Sequence, residues 1–342
     1  MRQFPRTLHK IIGKSGLNLN QISQACGISN PYLAKLVKGR INRPGKDKIA
    51  SIMLALNYSI SEIDRVLKEY DYQPMHVDDI PGILQNNRAR RIDGGSLPQY
   101  DHIYFDLLVL VLEQIGGTRI LVKDRPSGVF MPHALYLEKE YPYEKNDNAA
   151  NFRFELTKAI LRERSANFLE NCHKGYRSET FICKSCLSEY LEQQLGGEEE
   201  ALFPGRKILI SQYFANALSL VEKRSSEHQM YLMDRCPYFH FLMQDADGKV
   251  PKISYPGRKI HNYDNQFDSR MLQGFTTDLP QLVAHFRQEI EMCRGAIPDE
   301  MKSPGENSFK RIIFEMFHRF GMDGQLQAQL DKLMESDELI FY

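Results

Sequence analysis

The sequence lacks the features that would place it in a membrane or a secretory pathway. It contains no run of about 18 apolar residues, so no membrane-spanning helix is expected. The N-terminus lacks the charged-then-apolar order of a secretory signal. Six cysteines in 342 residues are too few for a disulfide scaffold. We therefore expect a cytoplasmic protein.

Familiar catalytic motifs are missing as well. The chain has no Gly-x-x-x-x-Gly-Lys-Ser/Thr loop, no His-Glu-x-x-His and no Gly-x-Ser-x-Gly. It also has no repeat of fixed period, which argues against a tetratricopeptide solenoid. We therefore expect a protein that is not an enzyme, and any exception would lie in the C-terminal region.

Charge is present in equal amounts of both signs, but it is unevenly placed. Residues 1–60 contain ten Lys and Arg residues and one acidic residue, Asp47, which gives a net charge of +9. The whole chain is formally neutral, so residues 61–342 carry −9. A basic N-terminal region suits contact with a phosphate backbone, because each neutralised phosphate releases counterions.

The basic region has the apolar spacing of short helices separated by sharp turns. An apolar stripe begins at Leu8, and Asn18 or Asn20 can cap the next helix. Gly27 lies where a turn needs positive φ. Ser29 or Asn30 can cap a third helix, whose first turn suits a proline. Apolar positions then mark a fourth and a fifth helix: Ile49, Ile52, Met53, Leu56, Ile60, Ile63, Val66 and Leu67.

Five short helices with a glycine at the second turn resemble the lambda-repressor-like, or XRE-type, DNA-binding domain. The most specific part is the segment 27–39, GISNPYLAKLVKG. The resemblance implies a recognition helix over residues 29–38 that enters the DNA major groove. Pro31 departs from the most common pattern of that family. The resulting DNA-binding candidates are Gln21, Ser29, Asn30, Tyr32, Lys35, Lys38, Arg40 and Arg43. The alternative is a helical protein-interaction domain whose basic face is accidental.

The composition divides the chain into three parts. Residues 1–72 are the predicted helix-turn-helix domain, and residues 73–101, rich in Pro and Gly, are a connector. Residues 102–342 are a ligand-sensing and dimerisation domain with a sub-boundary near residue 200. Helical spacing mixed with a few short β-rich runs, such as 118–123, predicts a mixed α/β or α+β fold for it. The segment 181–195 is predicted to be helical.

Cysteines and one histidine form the sharpest chemical pattern of the C-terminal region. Cys183 and Cys186 place two thiolates on one turn, which suits tetrahedral zinc, and Cys172 and His173 could complete the ligand set. Two other interpretations stay open, a redox pair and small core residues. Cys236 and Cys293 are flanked by apolar segments and are expected to be isolated and buried.

Together these patterns predict a sequence-specific DNA-binding transcriptional regulator, active as a homodimer or higher homo-oligomer on double-stranded DNA. Its C-terminal region would sense a signal, such as a small molecule, and set the spacing of the two DNA-binding domains. The alternative is a defence-system or toxin-antitoxin-type protein that uses the helix-turn-helix for targeting or autoregulation.

Overall fold

The chain folds into two compact units, residues 1–103 with 141–163, and residues 104–140 with 164–342. The computed structural model describes residues 7–80, 82–83, 102–140, 148–196, 205–237, 240–245, 251–255, 275–299 and 308–336. Most of the predicted connector, residues 84–101, lies outside these ranges, and the predicted boundaries at 72, 101 and 200 stay predictions.

The N-terminal region consists of five short helices, as predicted. They are α1 (Thr7–Lys14), α2 (Leu19–Cys26), α3 (Asn30–Val37), α4 (Lys46–Ala55) and α5 (Ile60–Glu69). Every residue from Ile49 to Ala55 is buried, so α4 is the centre of the domain. Helices α2 and α5 pack against it, and α3 packs against α1 and α2. The apolar stripes of these helices supply fully buried side chains such as Leu8, Ile22, Leu33 and Leu67.

The chain after α5 folds back onto these helices. Tyr72 Oη donates to the carbonyl oxygen of Pro44 at 2.9 Å, and the backbone N–H of Met75 donates to Asp64 Oδ1 at 2.7 Å. A short 3-10 helix follows (Val77–Asp79), in which Asp79 pairs with Lys46 at 2.5 Å. These contacts hold residues 72–79 against α5 and against the start of α4 with the turn before it.

Beyond residue 101, the described chain contains eight α-helices, one short 3-10 helix (Gly128–Phe130) and six strands. The helices are α6 (His102–Ile115), α7 (His133–Glu140), α8 (Asn148–His173), α9 (Lys184–Leu195), α10 (Arg206–Lys223), α11 (Pro280–Gly295), α12 (Ser308–His318) and α13 (Asp323–Glu335). The strands are β1 (Thr118–Lys123), β2 (Ser178–Cys183), β3 (His228–Met233), β4 (Phe241–Asp245), β5 (Lys252–Tyr255) and β6 (Phe275–Thr277). None of the described helices is long and apolar enough to cross a bilayer.

The strands form one mixed sheet in the order β3-β2-β1-β4-β5-β6. The β1–β2 and β2–β3 pairs are parallel, and the β1–β4, β4–β5 and β5–β6 pairs are antiparallel. A helical N-terminal domain followed by a mixed α/β region confirms the predicted fold class. Helix α10 is buried from Ile210 to Val221 and contributes to the main core.

The predicted helix over residues 181–195 is wrong in its first turn. Phe181, Ile182 and Cys183 belong to β2, and the helix starts at Lys184. Successive residues of β2 from Thr180 to Cys183 are all buried, so side chains on both faces of the sheet are covered, and a continuous apolar run then fits a strand as well as a helix.

A group of ion pairs is buried in the second unit. Arg164 contacts Asp106 Oδ1 at 2.7 Å and both carboxylate oxygens of Glu113 at 3.3 Å. Arg119 pairs with Glu113 at 3.0 Å, and Tyr136 Oη donates to Asp106 at 2.7 Å. Two guanidinium groups therefore balance two carboxylates. This balance allows all four charges to remain in the interior.

Candidate nucleic-acid interface and thiol cluster

The turn between α2 and α3 is fixed by local hydrogen bonds. Asn18 caps α2 and forms a capping box with Gln21, each side chain accepting from the other residue's backbone N–H at 2.9 Å. Gly27 ends α2 with φ of 72°, a left-handed conformation that glycine adopts without strain. Ile28 is buried beyond the turn, and Ser23 Oγ donates to its carbonyl oxygen at 2.7 Å. The angle between the two helices is thus set by residues on both sides of Gly27.

Helix α3 has one buried face and one exposed face. Leu33 and Leu36 are buried, whereas Ser29, Lys35 and Lys38 are exposed. Val37 is also 42% exposed, but it lies on another side of the helix, since residues two positions apart are about 200° apart around the axis. An exposed helix face that combines positive charge with polar side chains has the properties needed to enter a major groove.

Two other predicted contact residues on α3 already have partners within the domain. Asn30 Nδ2 donates to Asn20 Oδ1 on α2. Tyr32 is half-buried, and its hydroxyl lies near the backbone of Gly45. Burial first, and then the nearby Asp47 carboxylate, raises the pKa of Tyr32. Tyr32 therefore packs toward the start of α4, while Asn30 remains partly exposed.

The basic residues after α3 fall into two kinds. Arg40 is exposed, and like Lys35 and Lys38 it forms no side-chain ion pair with another described residue. Arg43 instead donates from Nε to the Tyr70 carbonyl oxygen at 3.1 Å and from an Nη to that of Asp71 at 3.2 Å. Its guanidinium also lies 4.4 Å from the centre of the Tyr72 ring. Arg43 thus fastens the basic turn to the chain that follows α5.

Three thiols form a cluster in the second unit. Cys183 is the last residue of β2, Cys186 lies in the first turn of α9, and Cys236 follows β3. Their sulfur atoms all lie within 4.8 Å of one another, so these three residues could hold a metal ion. Burial first, and then the neighbouring thiols, raises the pKa of Cys186. Three thiolates this close repel one another unless a cation lies between them.

The other two predicted ligands lie elsewhere. Cys172 is buried, and its Sγ lies 3.5 Å from Nε2 of His228, whose Nδ1 is 2.8 Å from Ser178 Oγ. Burial raises the pKa of Cys172 to about 11 and lowers that of His228 to about 4. Both groups are therefore neutral near pH 7. His173 is exposed at the end of α8.

The expectation that Cys236 is isolated and buried is wrong, whereas Cys293 is buried as expected. Cys236 is exposed, and its sulfur lies 3.6 Å from that of Cys186. The sequence separates these two residues by 50 positions, so no local spacing links them. The signal that could have found it is the position of Cys236 three residues after the short β-rich run 230–233.

Comparison with known proteins identifies the N-terminal region. Residues 8–63 match the family model described as helix-turn-helix. No curated protein and no solved structure is detectably similar to the chain. The N-terminal region is thus a helix-turn-helix domain of the XRE kind, which supports a DNA-binding regulator.

Proposed function

We propose that this chain, built around an XRE-type helix-turn-helix domain, is a cytoplasmic transcriptional regulator that binds double-stranded DNA in a sequence-specific way. The observation that carries the proposal is the exposed face of α3. There Lys35 and Lys38, together with Arg40 just beyond the helix, form no ion pair with another described residue. Basic side chains without internal partners are available to phosphates and base edges.

The regulator acts as a homodimer or higher homo-oligomer. A single recognition helix reads only a few base pairs, and two half-sites one helical turn apart multiply the specificity. The second unit, with its own six-stranded sheet and core, would join the copies and bind a signal without transforming it. A signal that prefers one spacing of the two DNA-binding domains shifts the population toward or away from the form that fits the operator.

The DNA-binding proposal is tested by selecting bound fragments from a random duplex library and measuring affinity for the selected site. Lys35→Ala and Arg40→Ala should each weaken binding and lower the slope of log affinity against log salt by about one, since one phosphate contact contributes about 0.9. Lys68→Ala, an equal charge change at an exposed position on α5, is the matched control. Unchanged affinity in the first two variants at moderate salt would show that the assigned face is wrong.

The selected site also tests the oligomer. Two inverted half-sites whose centres lie about 10 base pairs apart, or a multiple of this spacing, support a dimer on DNA. A single short site, together with a monomer mass by light scattering at the concentration used for binding, would contradict it.

The second unit binds zinc in this proposal, with the Cys183 and Cys186 thiolates as ligands. Thiolates suit zinc, and a Cys-x-x-Cys pair at the start of a helix places two of them on one side of an ion. The cluster around them supports this assignment. Elemental analysis of freshly purified protein should give about one zinc per chain, because the described residues contain one such cluster. A metal-free protein that also fails to take up added zinc would refute it.

A further inference from the structure

The cysteine cluster lies where two neighbouring parallel strands end. Strands β2 and β3 pair in parallel, with Cys183 opposite Met233. The carboxyl ends of parallel strands lie at the same edge of a sheet, so the residues just after them are brought together. Cys186 follows β2 by three positions and Cys236 follows Met233 by three positions. The sheet register thus places the third thiol beside the Cys-x-x-Cys pair.

The separation of the sulfur atoms fits a shared ion better than it fits a disulfide. The Cys186 and Cys236 sulfurs are 3.6 Å apart and form no disulfide bond with each other. Two thiolates bound to one tetrahedral zinc at about 2.3 Å lie roughly 3.8 Å apart, whereas a disulfide bond is about 2.05 Å long. The observed distance requires only a small adjustment to accept zinc.

The start of α9 directs backbone dipoles at the cluster, and these offset part of the cost of placing negative charge on its sulfur atoms. Cys183 caps the N-terminus of α9, and its sulfur accepts the backbone N–H of Cys186 at 3.5 Å. The positive end of this 12-residue helix points toward the same sulfur atoms. A backbone N–H directed at a thiolate orients it and stabilises its charge, as partners around metal ligands do.

The cluster is open on one side. Cys183 is buried, Cys186 is partly exposed and Cys236 is exposed. Within the described residues, no fourth Cys, His, Asp or Glu ligand atom joins these three sulfurs. Cys172 is not a ligand of this site, because its side chain is buried beside His228. A site with three protein ligands keeps a fourth position for water or another small ligand.

We propose that Cys183, Cys186 and Cys236 bind one zinc ion through three thiolates, with the fourth position open to solvent and with Cys172 and His173 outside the site. The inference rests on the zinc-binding part of the proposed function and names Cys236 as the ligand that completes it. The bound ion would join the start of α9 to the segment after β3. Binding of zinc would therefore reduce the motion of these two segments relative to each other.

The test compares ligand and control variants of the full-length protein. Zinc content is measured after equilibration with a metal buffer, and Co²⁺ is substituted to record the thiolate-to-metal charge-transfer absorption. Cys236→Ser and Cys186→Ser should weaken zinc binding at least about 100-fold, since loss of an outer hydrogen-bonding partner alone costs about 10- to 100-fold. The charge-transfer intensity should fall by about one third in each saturated variant, because one of three thiolates is lost.

Cys172→Ser, His173→Ala and Cys293→Ser are the controls, and each should keep wild-type zinc affinity and absorption. Circular dichroism of every variant separates loss of a ligand from loss of the fold, and Cys236→Ser changes an exposed residue, so it should fold. Wild-type affinity in Cys236→Ser, or loss of zinc in Cys172→Ser or His173→Ala, would overturn the inference while leaving zinc binding itself intact. A wild-type protein that takes up no zinc would refute both, and DNA binding of the same preparations reports separately on the regulator.

Discussion

Arg40 and Arg43 lie three residues apart in the same basic turn, yet the structure predicts opposite consequences when each is replaced. Arg43 makes two hydrogen bonds to backbone carbonyls and a contact with the Tyr72 ring, whereas Arg40 has no comparable partner in the described chain. Replacement by glutamine removes the same charge at both positions. Arg43→Gln should therefore loosen the domain, and Arg40→Gln should weaken DNA binding without loosening it.

The size of the Arg43 effect follows from its contacts. At this largely exposed position, two hydrogen bonds contribute about 0.5 kcal/mol each and the cation–π contact about 0.5 to 1 kcal/mol. The sum is about 1.5 to 2 kcal/mol. Asp71, one of the acceptors, has φ of 58°, a left-handed conformation that is unfavourable for a residue with a Cβ. Arg43 thus also holds a strained turn in place.

Hydrogen–deuterium exchange measured by mass spectrometry provides the assay. The amides of Tyr70, Asp71 and Tyr72 are bonded to carbonyls in the last turn of α5, so they report on the chain that Arg43 fastens. Since about 1.4 kcal/mol corresponds to a factor of ten, Arg43→Gln should speed their exchange about 10- to 30-fold. Arg40→Gln should leave the exchange unchanged and lower the salt slope of DNA binding by about one.

Two results would refute this reasoning. Exchange of these amides in Arg43→Gln within about twofold of wild type would show that the fastening contacts do not stabilise the turn. A salt slope reduced equally in both variants would place Arg43 on the DNA as well. Adding Asp71→Gly to Arg43→Gln is a further check, because glycine relieves the left-handed strain and should restore part of the protection.

The remaining predictions concern stability, pH dependence and the turn between α2 and α3. Arg164→Met should destabilise the second unit by about 3 to 5 kcal/mol in urea unfolding, since it leaves the carboxylates of Asp106 and Glu113 buried with too little positive charge; a loss below about 1 kcal/mol would contradict the network. Because the pKa of His228 falls from 6.5 to about 4 on folding, its contribution is complete above pH 6.5 and decreases as the pH falls toward 4, by about 3 kcal/mol in total. His228→Asn should flatten that part of the stability curve, and an unchanged difference between the two proteins from pH 7 to pH 4 would refute the assignment. Asn18→Ala should cost about 1 kcal/mol by removing the cap of α2, with a lower melting temperature as the readout and Gln24→Ala, at an exposed position of the same helix, as the control.

The helix-turn-helix domain could be predicted almost entirely from sequence because its determinants are local. Helical spacing, the Asn18 cap and the glycine turn at Gly27 each involve residues only a few positions apart. The same is true of the charge imbalance, which needs only a count. Local sequence patterns do not reveal which polar and charged side chains form contacts within the domain and which face solvent. Arg43 and Tyr32 were predicted to meet DNA, and their contacts with Tyr70, Asp71 and Gly45 depend on how the domain folds back.

The second unit shows more clearly what could not be predicted from sequence. The sequence predicted a mixed α/β fold and marked Cys183 and Cys186 as a pair, because short-range spacing carries both signals. The start of α9 was misplaced, since an apolar run covered on both faces has no distinguishing period. Tertiary structure alone decided which third cysteine lies beside Cys183 and Cys186. Parallel pairing of β2 with β3 brings Cys236 to Cys186 across 50 residues of sequence, whereas Cys172, much nearer in the chain, is drawn into the core against His228.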